Sequence, residues 1–254
     1  MADKSLTLNQ FRTLRKDNWW VEPLMVVAGL GGFGVYATWA ALQNANYYVA
    51  PYLSPFYSPC ISANCEHVSV PLIGSWWNLS PAFLILWVPG GFRATCYYYR
   101  KAYYRSFFQS PPACAVRDAA KSYCGETRFP FLLQNVHRYF FYLSLIILAF
   151  LWWDALLAFR FPDGFGIGMG TIVLTVNAAL LSLFSFSCNS CRHVCGGYVN
   201  SFHSAPGQYQ AWSLISRLNE NHMEYAWVSL IWVGLTDLYV RLLATGAIFD
   251  VRFV

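Results

Sequence analysis

Residues 131–158, FLLQNVHRYFFYLSLIILAFLWWDALLA, decide the fold. Between Arg138 and Asp154 this stretch carries no charged side chain, and most of its residues are aliphatic or aromatic. An α-helix needs about 20 apolar residues to cross the roughly 30 Å hydrocarbon layer of a bilayer. The stretch therefore predicts a transmembrane helix.

Four further stretches meet the same criterion, and they cover residues 21–43, 79–99, 167–188 and 223–245. The second of them contains Pro89, which removes a backbone hydrogen bond, so we expect a kink that neighbouring helices compensate. No internal repeat and no low-complexity tract is apparent. The sequence predicts an all-α integral membrane protein, a single domain of residues 1–254 that forms a bundle of five transmembrane helices.

The composition is that of a membrane protein. The 254 residues are 57% hydrophobic and 11% charged, and that charged fraction is about half the value usual in soluble domains. No polar stretch is long enough to form a second, soluble core. The polar N-terminus does not have the pattern of a cleaved signal sequence. The net charge of +5 arises from basic residues in short loops beside the spans. This placement indicates that the basic residues set the membrane topology and do not bind nucleic acid.

The basic residues also predict the orientation. Most Lys and Arg residues lie in the N-terminal arm and in the loops that follow the second and fourth spans, whereas the other side holds only Arg160 and Arg252. Basic loops remain in the cytoplasm. We therefore expect a multi-pass protein of the plasma membrane with a cytoplasmic N-terminus and a C-terminus outside.

This topology separates the cysteine and histidine residues into two groups. Cys60 and Cys65 fall outside, where oxidising conditions favour a local disulfide, and a metal site that includes His67 is the less favoured alternative. All others fall at or near the cytoplasmic face, where thiols stay reduced and cysteines more often bind metals or take part in catalysis. They are Cys96, Cys114, Cys124, His137, Cys188, Cys191, His193, Cys195, His203 and His222.

Three kinds of metal site are compatible with this second group. Cys188 and Cys191 have the spacing of half a zinc knuckle, but no matching second pair is present. His137 and His222 lie at similar depths in their spans, as a b-type haem requires, but haem leaves the cysteines unexplained. A Rieske-type [2Fe–2S] centre, with two cysteines on one iron and two histidines on the other, matches the mixed set best. Such a centre would have to be assembled from separate helix ends.

Four stretches resemble a known family: TCYYYRKAYYRSFFQSPPACAV (95–116), FPFLLQNVHRYFFY (129–142), CNSCRHVCGG (188–197) and NHMEYAWVSLIWVGLTDLYVRL (221–242). The chain is similar to the cytochrome b-like membrane anchor of actinobacterial type F succinate dehydrogenase (complex II). The resemblance implies that a flavoprotein subunit and an iron–sulfur subunit bind on the cytoplasmic side. It also implies that electrons pass through a membrane-embedded Rieske-type [2Fe–2S] cluster to a quinone.

The resemblance implies ligand candidates as well. The preferred set is Cys114, Cys188, His193 and His222, with Cys96 and His137 in reserve. The candidates for quinone binding are Tyr98, Arg138 and Arg93. This chain would be the quinone-reducing subunit, and succinate oxidation would take place on a partner subunit, because no dinucleotide fingerprint and no ferredoxin-type cysteine set is present.

Two alternatives remain open from the residues. The first is a complex II anchor that holds haem b between His137 and His222, and the second is a membrane transporter or assembly protein that handles zinc. The docking surface is expected on the N-terminal arm and on the basic loop from Arg100 to Arg128. Within the last span, Asp237 and Arg241 stand at i and i+4, which predicts a self-neutralising pair or, alternatively, a proton route.

Overall fold

A computed structural model of the chain describes residue 13 and residues 15–65, 71–119 and 131–254. Within this part, helices dominate and the only named strands belong to two short hairpins. The helices are α1 (Val21–Gln43), α2 (Phe83–Ala94), α3 (Tyr97–Ser106), α4 (His137–Leu157), α5 (Met169–Phe186), α6 (Asn189–Gly196), α7 (Pro206–Glu220) and α8 (His222–Ala244). The hairpins are β1 (Tyr48–Val49) with β2 (Tyr52–Leu53), and β3 (Arg160–Phe161) with β4 (Gly164–Phe165).

Four of the described helices are long and apolar enough to cross a membrane, namely α1, α4, α5 and α8. They coincide with the first, third, fourth and fifth predicted spans. The third span is shorter than predicted at its start, because Phe131–Val136 form a 3₁₀ helix and the α-helix begins at His137. The mostly helical, membrane-spanning architecture is therefore confirmed for these four segments.

The second predicted span, residues 79–99, is divided in the structure. Its α-helix, α2, has 12 residues and continues through Pro89 to Ala94, so it is about 18 Å long and too short to cross a bilayer alone. The chain breaks at Cys96, whose extended backbone makes it the N-cap of α3. The interruption thus lies beyond the proline, and the count of five spans stays a prediction.

The chain divides into two compact units, Met1–Val35 with Arg93–His137, and Tyr36–Phe92 with Arg138–Val254. In the described part of the second unit, α5 and α8 pack against each other and against the end of α4. Small residues form much of this contact, which lets the helices approach closely. The buried cluster consists of Tyr52, Ala155, Ala158, Leu174, Ala178 and Val240.

A buried ion pair fixes one end of the second unit. Arg241 donates from Nε to Asp237 Oδ2 at 2.8 Å, as their i, i+4 spacing predicts, and both side chains are at most 5% exposed. Asp237 also accepts hydrogen bonds from Tyr36, at 2.6 Å, and from Ser54. The guanidinium donates to the Ala40 carbonyl at 2.8 Å. The pair therefore ties α8 to the end of α1 and to the loop after β2.

The loop between α1 and α2 contains the two cysteines that the sequence places outside. Cys60 and Cys65 are joined by a disulfide, with their Cα atoms 6.2 Å apart. His67, the additional ligand considered for a metal site, lies outside the described residues, as does Cys124.

Candidate metal centre

His222, the first residue of α8, is held in one orientation by its neighbours. Its side chain is 2% exposed, and Nδ1 lies 2.6 Å from Ser187 Oγ. Ser187 Oγ also donates to the Phe184 carbonyl at 3.1 Å. The Phe184 ring stacks on the imidazole with centroids 5.2 Å apart. A hydrogen bond at Nδ1 is usual for histidines that bind a metal through Nε2.

Cys188 follows Ser187 directly and is also buried. Its residue is 2% exposed, and it is the N-cap of α6, where Sγ accepts from the Ser190 backbone N–H at 3.4 Å. Ser187 thus contacts a buried imidazole, and the next residue, Cys188, carries a buried thiol.

The same local arrangement occurs in the first unit. Thr95 Oγ1 lies 2.8 Å from Nδ1 of His137, and His137 is the first residue of α4. Cys96 follows Thr95, is 2% exposed, and is the N-cap of α3. In both units a hydroxyl residue contacts the histidine that begins a long apolar helix, and the next residue is a buried cysteine at a helix N-terminus.

The sequence contains a short repeat that explains this similarity. FRATC (92–96) and FSFSC (184–188) share the pattern Phe-x-x-Ser/Thr-Cys, and each lies at the end of an apolar helix. The rings of Phe92 and Phe184, which begin the two motifs and belong to the same unit, are 5.2 Å apart between centroids. The hydroxyl residue before each cysteine is the feature of the sequence that could have identified the two motifs.

The other two sequence-predicted ligands, Cys114 and His193, lie in more open surroundings. Cys114 is exposed, and its carbonyl accepts from Arg15 at 2.7 Å. His193 is exposed on α6, against Tyr198. Cys191 is buried, and desolvation, followed by the nearby Cys195 and Cys188, raises its pKa to about 12. Among the described residues, no three Cys, His, Asp or Glu side chains converge in a geometry that could hold a metal ion.

The residues predicted to bind quinone differ in their surroundings. In the first unit, Arg93 donates to the Tyr99 hydroxyl and lies over its ring at 5.5 Å from the centroid. Tyr99 is 5% exposed, whereas Tyr98 is half-buried. Arg138, in the second unit, is exposed. The phenol beside Arg93 is therefore that of Tyr99, a residue that the sequence reasoning did not select.

Comparison with known proteins gives two matches. The family model of the actinobacterial succinate dehydrogenase subunit SdhC matches residues 21–246. Among solved structures, the chain is similar to one in the Mycobacterium smegmatis Sdh1 complex in the apo form, with 48% sequence identity and a TM-score of 0.88. That match covers 96% of this chain and 95% of the other. Among curated proteins, none matches.

Proposed function

Because the chain belongs to the actinobacterial succinate dehydrogenase subunit SdhC family, we propose that it transfers electrons from an iron–sulfur subunit, through a Rieske-type [2Fe–2S] centre, to a membrane quinone. Membership of the family makes the chain a membrane subunit of succinate dehydrogenase. The cluster and the quinone go beyond that membership. The observation that carries them is the repeated pair of a buried cysteine and a hydroxyl-anchored histidine.

The ligand candidates that their local surroundings support best are Cys96 with His137 in the first unit and Cys188 with His222 in the second. A Rieske centre takes two thiolates and two imidazoles, and the two copies of the motif supply one of each. Cys114 and His193 belonged to the ligand set preferred from the sequence, but both side chains are exposed. They are less suitable ligands because a centre embedded in the membrane requires ligands shielded from water. Cys96 and His137 move from reserve into the set.

The donor chemistry of these residues fits the group. When bound, a cluster with histidine on one iron accepts and passes on one electron at a higher potential than an all-cysteine cluster. Ser187 and Thr95 would fix the two imidazole rings with Nε2 toward the metal and would hold the proton on each Nδ1. Cys96 and Cys188, the N-cap residues of α3 and α6, would supply the two sulfur ligands.

A quinone would bind close to Arg93. Its guanidinium and the buried hydroxyl of Tyr99 are both hydrogen-bond donors, and a quinone carbonyl accepts such bonds. Tyr98 and Arg138 remain secondary candidates. The proposed role is quinone reduction, with succinate oxidation on the flavoprotein partner.

We place the histidine-bearing helix ends at the cytoplasmic face of the plasma membrane. The basic residues near these ends predict this orientation. The flavoprotein and iron–sulfur subunits would then dock on the N-terminal arm and on the loop from Arg100 to Arg128, the segments richest in basic residues.

Electron paramagnetic resonance of the reduced, purified complex tests the proposal. A mixed-ligand cluster gives a lower average g value than an all-cysteine cluster, and we expect that signal. The Cys188→Ser and Cys96→Ser variants should lose the signal, whereas the matched control Cys114→Ser should keep it. A haem Soret band without this low-g signal would overturn the cluster in favour of haem b on His137 and His222. One equivalent of zinc, with neither cofactor, would overturn both.

A further inference from the structure

The backbone carbonyl of Ser187 accepts a hydrogen bond from a residue that the ligand assignment does not include. Asn219 Nδ2 donates to this oxygen at 2.6 Å, across 32 residues of sequence. Asn219 lies in the last turn of α7, and a single residue, Asn221, separates α7 from α8. The contact therefore joins the end of α7 to the residue that precedes Cys188.

This contact holds the peptide group between Ser187 and Cys188 from one side, and a second bond holds it from the other. The oxygen of the group accepts from Asn219, and its N–H, that of Cys188, donates to the Ser185 carbonyl at 3.3 Å. Because a peptide group is planar, bonds on both sides oppose its rotation relative to the neighbouring residues. The backbone from which the Cys188 side chain projects is thereby held in place.

Ser187 contacts the segment that carries His222 through two different groups. Its carbonyl accepts from Asn219, and its hydroxyl lies 2.6 Å from Nδ1 of His222. Asn219 and His222 are three residues apart, so the two contacts span the junction of α7 and α8. A single contact would leave the two segments free to rotate about it, whereas two contacts restrict both their distance and their angle.

An asparagine is not explained at this position by helix formation. Its amide competes for backbone hydrogen bonds, which makes it a poor residue inside a helix, and here the amide bonds to a distant segment instead. A related residue precedes the other histidine in the sequence, because Gln134 stands three residues before His137 as Asn219 does before His222. The pattern Asn/Gln-x-x-His therefore accompanies Phe-x-x-Ser/Thr-Cys in both copies.

We propose that Asn219 is a positioning residue of the metal centre, which holds Cys188 and His222 in a fixed relative position as ligands of one cluster. It acts through Ser187 and is not itself a ligand. The inference rests on the proposed function, since it takes Cys188 and His222 as ligands. Outer partners of this kind orient the ligands and tune the metal, and their loss typically costs about 10-fold to 100-fold in metal affinity or activity.

Redox titration of the low-g electron paramagnetic resonance signal in the purified complex tests this role. Asn219→Leu keeps the approximate size of the side chain and removes the donor. We expect a changed midpoint potential, because the thiolate and the imidazole no longer keep their spacing around the metal, and a quinone reductase turnover lower by about tenfold. Should this variant fail to assemble or lose the signal, the midpoint of Asn219→Ala, which removes the amide with a strong helix former, decides.

The matched control is Gln210→Leu, which makes the same exchange of a carboxamide for an apolar side chain on α7. Gln210 is exposed, so its variant should titrate like the parent. A titration curve of the Asn219 variant that superimposes on that of the parent would overturn the positioning role, as would equal shifts in the Asn219 and Gln210 variants.

The parent complex is measured first, which separates this inference from the proposed function. Absence of the low-g signal in the parent would count against the proposed function itself. A signal that is present in the parent and unchanged in the Asn219 variant would count only against the role of Asn219.

Discussion

Ser187 Oγ lies 2.6 Å from Nδ1 of His222 and donates to the Phe184 carbonyl. The hydroxyl therefore restricts the orientation of the imidazole ring. Thr95 lies at a comparable distance, 2.8 Å, from Nδ1 of His137. In each contact the hydroxyl residue directly precedes a buried cysteine, so one short segment of chain positions two of the proposed ligands.

Removing this hydroxyl should weaken the centre without removing a ligand. In Ser187→Ala, the His222 ring loses its orienting partner, and we expect quinone reductase activity or cluster occupancy to fall by about 10-fold to 100-fold. Redox titration should also show a changed midpoint potential, because the hydrogen bond no longer supports the imidazole.

The matched control for this substitution is Thr175→Ala in α5, the helix that ends just before Ser187. Thr175 donates to the Thr171 carbonyl, one turn away in its own helix, so its loss should leave potential and activity unchanged. A Ser187→Ala variant with the parent's potential and occupancy would show that the contact plays only a structural part.

The buried ion pair of α8 should be sensitive to loss of one partner. In Asp237→Ala, Arg241 keeps its charge in an almost fully buried position, and breaking a buried pair in this way costs about 3–5 kcal/mol. Thermal unfolding of the detergent-solubilised complex, followed by tryptophan fluorescence, should show a clearly lower midpoint.

An exposed pair supplies the comparison. Asp163 and Arg252 form an ion pair whose side chains are 66% and 36% exposed, and solvent screens such pairs strongly. Asp163→Ala should leave the unfolding midpoint unchanged. Equal effects of the two aspartate substitutions would contradict the distinction between a buried network and a surface contact.

Two adjacent glycines of α2 should respond in opposite ways to alanine. A Cβ at Gly91 would lie 2.2 Å from the Phe140 ring, whereas a Cβ at Gly90 would meet nothing within 4 Å. Gly91→Ala should therefore cost about 1–3 kcal/mol through overpacking. Gly90→Ala should stabilise the helix by up to about 1 kcal/mol. Unfolding midpoints that change in the same direction would contradict the close contact between α2 and α4.

The long spans were predictable because a run of apolar residues is a local property of sequence. The starts and ends of α1, α5 and α8 agree with prediction within two residues. The division of the second span was not predictable from hydropathy, since it depends on the extended backbone of Cys96 as a helix cap. Pro89 led to the expectation of a kink, but the helix continues through Pro89 and is interrupted only after Ala94.

The candidate site was only partly predictable, since residue types are visible in a sequence and burial is not. Cys96 and Cys114 are both cysteines of the same segment, but one is buried and the other exposed. The pattern Phe-x-x-Ser/Thr-Cys could have separated them, because it occurs before Cys96 and Cys188 and not before Cys114. The contact between each hydroxyl and a distant histidine required the fold.

The contact of Tyr52 with Asp250 predicts a loss of stability at alkaline pH. Burial, and then the 2.5 Å hydrogen bond to the Asp250 carboxylate, raises the pKa of Tyr52. The unfolded chain releases the phenolic proton at about pH 10, whereas the folded chain retains it to higher pH. The contribution of Tyr52 is thus complete below about pH 10 and declines as pH rises toward the folded value.

Unfolding midpoints measured between about pH 8 and pH 11 check this sign. The decline above about pH 10 should be steeper in the parent than in Tyr52→Phe, which has no proton to release at this position. Tyr198→Phe is the control, because Tyr198 is 76% exposed and its substitution should leave the slope of the parent unchanged. A Tyr52→Phe variant with the parent's slope would show that this tyrosine releases its proton equally in the folded and unfolded chain.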